Sequence, residues 1–351
     1  YSGSLYGNLS DTWGLLGYYS TVDRDDMEDG NGDKVYGTAA DQDLLFVKAS
    51  GELAKHHYLS LSVEQREEEG AFSARPNWVV LEGAPLYPSK ASRDTYVANY
   101  RWEHSALGFL EATAYSTSSA FRGGRFDWLA DIDTVGFDIR NTQETTDHTF
   151  VYGTDYRKDE VQSGPADGAV QNSEESSVIG IYAQAHSQIT PALLLSYGLR
   201  YDSYDFQQRI LLEEYYGTPV MDTAAGLDDN EISLNAGLSY QLSDAWTLGL
   251  GFAQAARGKE IGDGFTIDEY LYDGEDISVV AGDLKPEKVT SIEASAAYSA
   301  NNLEARFSVY QSVIAALIAP IPEAKSLHAS PRSRAASFFS TLVIVGFRPR
   351  V

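Results

Sequence analysis

Large apolar residues and small or polar ones alternate strictly along much of the second half of the chain. Leu195, Tyr197, Leu199 and Tyr201 fall on one face of an extended strand, and Ser196, Gly198, Arg200 and Asp202 on the other. Ile232, Leu234, Ala236, Leu238, Tyr240 and Leu242 repeat the apolar face, as do Trp246, Leu248, Leu250 and Phe252. Ile292, Ala294, Ala296 and Tyr298, then Leu303, Ala305, Phe307 and Val309, complete it. Charge is confined to the opposite face, at Arg200, Asp202, Glu293, Glu304 and Arg306.

Alternation alone is shared by a soluble sandwich or soluble barrel, but these runs reach about ten residues, whereas strands of globular proteins average about five or six. The connections also differ at the two ends. Thr190-Pro191, Ser243-Asp244-Ala245 and Ala300-Asn301-Asn302 make tight turns, while the alternate connections are long. A transmembrane β-barrel has this asymmetry of short and long rims.

The first half follows the same grammar less cleanly. Strands are predicted over Ser2 to Ser10, Thr12 to Val22, Gln42 to Leu53, Tyr58 to Gln65, Thr95 to Glu103, Gly108 to Thr117, Thr134 to Thr142 and Thr146 to Tyr156. Asp23 to Asp41 and Glu67 to Ser92 read as outer loops. With Ser176 to Ile189 and the later strands the total is about fourteen. Many tyrosines, among them Tyr18, Tyr19, Tyr58, Tyr152, Tyr156, Tyr182, Tyr201, Tyr204, Tyr240 and Tyr298, sit near strand ends, where a membrane barrel carries its aromatic girdles.

A net charge of −25 argues against nucleic-acid binding, which needs clustered cations. The acid is concentrated at residues 23–34, 157–176, 205–231 and 257–288, which together hold 27 Asp and Glu against 9 Lys and Arg. An acidic rim of this kind keeps a surface solvated, and it also attracts cations that bridge to anionic lipid heads. There is no cysteine, so thiolate chemistry and disulfides are excluded. No apolar run reaches the length of a membrane helix, about 18 residues. The chain opens at Tyr1 without an initiator Met or signal segment, so its true N-terminus is expected to lie upstream.

Catalytic and metal-binding patterns are weak. The acidic string Asp23, Asp25, Asp26, Glu28, Asp29, Asn31, Asp33 invites Ca²⁺, but Met27 breaks the ligand spacing. His56-His57 lacks a third ligand nearby, and no nucleophile motif flanks His104, His148 or His186. Neither an enzyme, a resident metal nor a cofactor is expected. Phe121-Arg122-Gly123-Gly124-Arg125-Phe126-Asp127-Trp128 sets two guanidinium groups among aromatic rings, which suits an anionic aromatic ligand such as a catecholate chelate and equally an ordinary packed loop.

Gly180-Ile181-Tyr182-Ala183-Gln184, followed by Ile189-Thr190 and Leu195-Ser196-Tyr197-Gly198-Leu199-Arg200-Tyr201-Asp202, resembles the barrel of TonB-dependent outer-membrane receptors. Tyr152 to Arg157, Phe252 to Ile261 and Asp283-Leu284-Lys285-Pro286-Glu287-Lys288 are similar to further strands and loop ends of that family, in the same order. The matches cover residues 148 to 312 well, and residues 1 to 147 only in style. The resemblance implies an all-β, antiparallel transmembrane barrel of about 22 strands with a plug in its lumen, of which about 14 strands are present here. The chain is thus expected to be an internal fragment, with residues 1–320 forming a partial barrel. Residues 321–351 turn basic, lose alternation and end on Arg350-Val351, and are expected to stand outside the barrel, as a shifted reading frame or as a basic tail with a partner.

The resemblance further implies a bacterial outer-membrane location, contact with outer-membrane lipid, and uptake of a scarce ligand such as an iron chelate, energised by TonB through a plug absent from this chain. Ligand capture is then expected at Arg122, Arg125, Phe126, Trp128, Tyr215, Tyr216, Tyr270, Tyr272 and Asp273. Arg200, Asp202, Glu293, Glu304 and Arg306 are expected to face the lumen. A passive outer-membrane channel and a soluble secreted β-domain acting as an adhesin remain the alternatives.

Overall fold

The computed structural model describes residues 1–73, 80–104, 108–125, 127–168, 170–212, 221–259, 261, 285–300, 303–315, 336–338 and 348–349. The strands are β1 (Ser2–Asn8), β2 (Trp13–Arg24), β3 (Met27–Glu28), β4 (Lys34–Val35), β5 (Ala40–Ala54) and β6 (His57–Phe72). Next come β7 (Tyr87–His104), β8 (Gly108–Gly123), β9 (Trp128–Glu144), β10 (His148–Pro165), β11 (Asn172–Thr190) and β12 (Leu193–Leu212). The last are β13 (Met221–Gln241), β14 (Trp246–Arg257), β15 (Glu287–Ala300), β16 (Leu303–Ala315), β17 (Ala336–Phe338) and β18 (Arg348–Pro349).

Each long strand pairs antiparallel with the next, from β1 through β2, β5 and onward to β16, and β3 pairs with β4 as a separate small hairpin. Fourteen strands therefore form one meander, the number counted from the alternation. Among the described residues β1 pairs only with β2, so the sheet is an open wall. The tight turns fall at one rim. Pro191 and Ala192 join β11 to β12, and Lys55 with the left-handed His56 (φ 69°) joins β5 to β6. In the tail, Ala336–Phe338 pairs with Ser312–Ile314 of β16, and Arg348–Pro349 pairs with its start.

Register carries the alternation from strand to strand. Tyr197 stands opposite Ala236, which stands opposite Phe252 and then Ile292. Leu195, Leu238, Leu250 and Ala294 form the neighbouring row. Among the described residues this face is largely open: Leu250 and Ile181 are 60% exposed and Leu199 57%. Contiguous apolar surface on this scale requires an apolar surround. The opposite face, called inner below, holds most of the buried residues, including Asp202, Phe206, Val161 and Glu174.

Strand length corrects several expected loops. Glu67 to Ser92, 157–176 and 205–231 are not loops throughout, because β6 runs to Phe72, β7 starts at Tyr87, β10 and β11 reach Pro165 and Asn172, and β12 and β13 reach Leu212 and Met221. A membrane crossing needs only about 9–11 tilted residues, so strands of 20 and 21 residues continue well past it. Above Tyr201 the outward residues of β12 become Ser203, Asp205 and Gln207, facing Ser177 and Glu175 of β11 and Asp228 of β13. The outward face turns polar there while the inner one mixes Tyr204 and Phe206 with Gln208, so the membrane alternation vanishes while backbone pairing goes on.

The tyrosine girdle also needs correction. Tyr19, Tyr152, Tyr156, Tyr201, Tyr240 and Tyr298 share the outward parity, but Tyr18, Tyr58, Tyr182 and Tyr204 point to the inner face. Two outward hydroxyls mark the upper edge of the apolar band, donating to Asp43 (Tyr19, 2.7 Å) and Asn230 (Tyr201, 2.8 Å).

Candidate functional site

The chemistry of the wall is concentrated in two adjacent rows on the inner face. One row reads Arg101, Glu111, Arg140, Gly153, Tyr182, Arg200 across β7 to β12. The row above it reads Asn99, Thr113, Asp138, Asp155, Gly180, Asp202 and, on β13, Glu231. Cations dominate the first row and carboxylates the second, so opposite charges face each other where the rows meet.

Arg200 ties them together. Its Nη1 and Nη2 donate to the two Asp155 oxygens at 2.6 and 2.8 Å, a bidentate pair, and its Nε donates to Asp202 Oδ1 at 2.7 Å. The Asp202 side chain is only 3% exposed, so this cation is what makes its burial tolerable. Gly180 lies between the two acids, and a Cβ there would collide with the Arg200 Nη2 and meet Asp202 Oδ1 at 2.7 Å. Glycine at this point is thus the space through which the guanidinium reaches both strands.

The remaining groups repeat the pattern. Arg140 Nε donates to Glu111 at 2.9 Å, and the Tyr182 hydroxyl donates to Asp138 at 3.0 Å. Arg157 and Thr134 both donate to Asp159, at 2.5 and 2.6 Å, and Arg93 pairs with Glu64 at 2.7 Å. Near the tight-turn rim, Arg101, Glu111, Asp138 and Arg140 line a recess of ≈ 610 Å³, with Ser60 on its wall. The Ser60 hydroxyl is buried there without a hydrogen-bond partner among the described residues.

Of the residues singled out from sequence, Arg200 and Asp202 lie within this network. Register sets Glu293 on the same face, in a row with Ser196, Gly237, Gly251 and Tyr310. Glu304 and Arg306 follow on that face, opposite Ser299 and Ala297. Arg122 is different, because it shares its row and outward parity with Lys90. Its Nε and Nη2 donate to the two Asp127 oxygens at 2.9 and 2.6 Å, closing the turn between β8 and β9. That contact holds the Asp127 carboxyl below the usual carboxylate range. Arg125 lies in the same turn, and Trp128 opens β9 with its indole N–H buried and without a hydrogen-bond partner among the described residues. Phe126, Tyr215, Tyr216, Tyr270, Tyr272 and Asp273 lie outside the described residues.

The sequence reading missed Asp138, Arg140, Asp155 and Tyr182. In Thr154-Asp155-Tyr156-Arg157-Lys158-Asp159-Glu160 polar groups occur at both parities, so alternation does not separate the faces. The signal that was available is the pair of glycines at 153 and 180, which face their neighbours across β10 and β11 where large side chains must cross.

An apolar belt facing outward and an ion-paired face behind it, on long antiparallel strands, define a wall of an outer-membrane β-barrel. The family model described as TonB dependent receptor-like, beta-barrel matches residues 18–327. The chain belongs to that family, whose members are transport proteins of the bacterial outer membrane and not enzymes. No curated protein matches it by sequence. Among solved structures it is similar to the FrpB iron transporter from Neisseria meningitidis (F3-3 variant), at 16% identity and TM-score 0.71, with 93% of this chain and 53% of that one covered. It is similar also to the copper transporter OprC, at 16% identity and TM-score 0.71, covering 90% and 52%. The siderophore receptor PiuA from Acinetobacter baumannii aligns at 11% identity and TM-score 0.68, covering 90% and 57%. The chain therefore spans about half the length of these structures, and at such identities the likeness concerns the fold.

Proposed function

We propose that the chain is the greater part of the barrel of an active-transport receptor that imports a scarce ligand, an iron-siderophore chelate above all, with energy supplied by TonB through a plug. The observation that carries this reading is the coupling of an outward apolar belt to an inner face of matched Arg and carboxylate rows. A passive pore lined by free charges would select ions, whereas charges already paired with one another are suited to hydrogen-bonding a folded domain in the lumen. Transporters of iron and of copper, and a siderophore receptor, among the structural relatives support the choice of ligand class.

In this reading Arg200, Asp202, Glu293, Glu304 and Arg306 line the lumen, and Arg125, Phe126 and Trp128 contribute to ligand capture with Tyr215, Tyr216, Tyr270, Tyr272 and Asp273. Arg122 serves capture through the turn that it clamps with Asp127. The outward belt contacts outer-membrane lipid. Residues 1–320 make up the barrel part, and residues 321–351 form a basic tail that adds only the short pairings of β17 and β18 to its last long strand.

Uptake of radiolabelled ferric catecholate by cells carrying the intact receptor tests the reading. Energy-dependent accumulation, lost when the proton gradient is collapsed, is expected. Equal flux with and without the gradient would instead indicate a passive channel.

A further inference from the structure

Every histidine among the described residues stands at the tight-turn rim. His56 lies in the turn between β5 and β6, His57 opens β6, His104 ends β7, His148 opens β10, and His186 is close to the end of β11. Three of them are anchored alike, through Nδ1 to a hydroxyl on the next strand of the meander. His57 Nδ1 is hydrogen-bonded to the Tyr100 hydroxyl at 2.7 Å, His148 Nδ1 to Ser187 Oγ at 2.9 Å, and His186 Nδ1 to Ser196 Oγ at 2.8 Å.

Parity then separates the three. His57 stands opposite Trp102, which alternates with the inner Arg101, and His148 shares the parity of Tyr152, so both are outward. His186 stands opposite Ser196 on the inner face. The two outward rings also stack on aromatic neighbours, His57 on Trp102 (centroids 5.6 Å apart, planes at 9°) and His148 on Phe150 (5.7 Å, 28°). His104 meets Trp102 edge-on at 5.1 Å.

The apolar belt begins directly above these rings. On β6 the outward residues after His57 are Leu59, Leu61 and Val63, and Gln65 ends the run. On β10 they are Phe150, Tyr152, Thr154 and Tyr156, and Lys158 ends it. The Thr154 hydroxyl is satisfied within the wall, donating to the Gly180 carbonyl at 2.8 Å. The stretch from His57 to Gln65 is nine residues long and that from His148 to Lys158 eleven. A tilted strand crosses the hydrocarbon in about 9–11 residues. Both imidazoles therefore lie at the lower boundary of the apolar layer, level with the lipid heads of the leaflet at the tight-turn, periplasmic rim.

We propose that His57 and His148 are headgroup ligands, each donating its Nε2–H to a phosphodiester oxygen of a phospholipid in the periplasmic leaflet. The inference rests on the reading that the outward belt meets lipid. A neutral imidazole carries one ring proton, and with the Tyr100 or Ser187 hydroxyl donating to Nδ1 that proton is on Nε2. Neither Nε2 has a hydrogen-bond partner among the described residues. An imidazolium also donates from Nε2, so the contact holds in either protonation state. The phosphodiester is an anionic acceptor, and bonds to ionised acceptors are roughly twice as strong as those between neutral groups. Stacking on Trp102 and Phe150 sets the ring body among apolar groups and leaves the polar edge to the heads, as indoles and phenols do in interfacial belts. His186 has the same anchor, but its Nε2 lies 3.2 Å from Gln184 Nε2 on the inner face, away from lipid.

Solid-state NMR of the intact receptor, labelled with ¹⁵N-histidine and reconstituted in phosphatidylethanolamine vesicles in phosphate-free buffer, tests the assignment. Protonated Nε2 signals that lose intensity under ³¹P recoupling are expected. His57→Phe combined with His148→Phe should abolish that loss, and His186→Phe should leave it intact. In vesicles of a galactolipid the loss should vanish and should not return on adding inorganic phosphate; its return would mean a site for free phosphate and overturn the proposal. Absence of the loss in the unmodified receptor, or an equal loss in the double variant, overturns it too. Should the double variant fail to fold, each single variant should remove part of the loss, and single variants without effect overturn it equally. A spin label on Leu199→Cys in the same vesicles keeps the two readings apart. Oxygen contact there without ³¹P dephasing sinks the headgroup ligands alone, whereas no oxygen contact sinks the lipid-facing belt on which they rest.

Discussion

The same strands do different work below and above Tyr201. Below it, β12 presents Leu195, Tyr197 and Leu199 outward and Ser196, Gly198 and Arg200 inward, and lipid demands that segregation. Above it, Asp205 and Gln207 point outward while Phe206 and Gln208 point inward, and Phe206 is 1% exposed. The outward face thus changes from apolar to polar along a single strand, and the buried apolar groups pass to the inner one. In the membrane, apolar groups go outward because hydrocarbon is there; beyond it they go inward because water surrounds the outer face.

Four substitutions sharpen this contrast, each read by denaturant unfolding of the protein refolded into lipid vesicles. The largest effect is expected on the inner face at membrane level. Arg200→Ala leaves Asp202 and Asp155 without their shared cation, and loss of one partner from a buried pair costs about 3–5 kcal/mol. Next, Leu199→Arg puts a charge against hydrocarbon and should cost about 2–4 kcal/mol, whereas Gln207→Arg, outward on the same strand but above the band, should cost about 0–1 kcal/mol. Equal costs at the two positions would remove the distinction between the regions. The smallest effect is expected from Arg122→Ala, whose pair with Asp127 is exposed and screened by solvent.

The contrast also explains how much was legible beforehand. The period-2 pattern at 195–202, 232–242 and 292–298 identified the strands, their faces and the meander, because lipid on one side and a polar interior on the other force every residue to choose. It stopped at Gln65 on β6, although the strand continues through Arg66-Glu67-Glu68-Glu69 to Phe72. Those residues pair with β7 through their backbones and through ions, Lys90 with Glu67 and Glu69 at 2.6 and 2.8 Å, and such pairing leaves no hydrophobic period to read. Asp155 escaped notice for a related reason: its partner Arg200 is 45 residues away, and only register brings them together.

The central claim is that the odd-numbered residues of β12 meet hydrocarbon as far as Tyr201 and that the even-numbered ones do not. Single spin labels at each position from Leu195 to Gln207 in the intact receptor, scored for collision with lipid-soluble oxygen against a water-soluble nickel chelate, test it most directly. The account predicts oxygen contact at 195, 197, 199 and 201, little at 196, 198, 200 and 202, and a switch to nickel contact at 203, 205 and 207. Uniform oxygen contact across both parities, or nickel contact at 197 and 199, would contradict it.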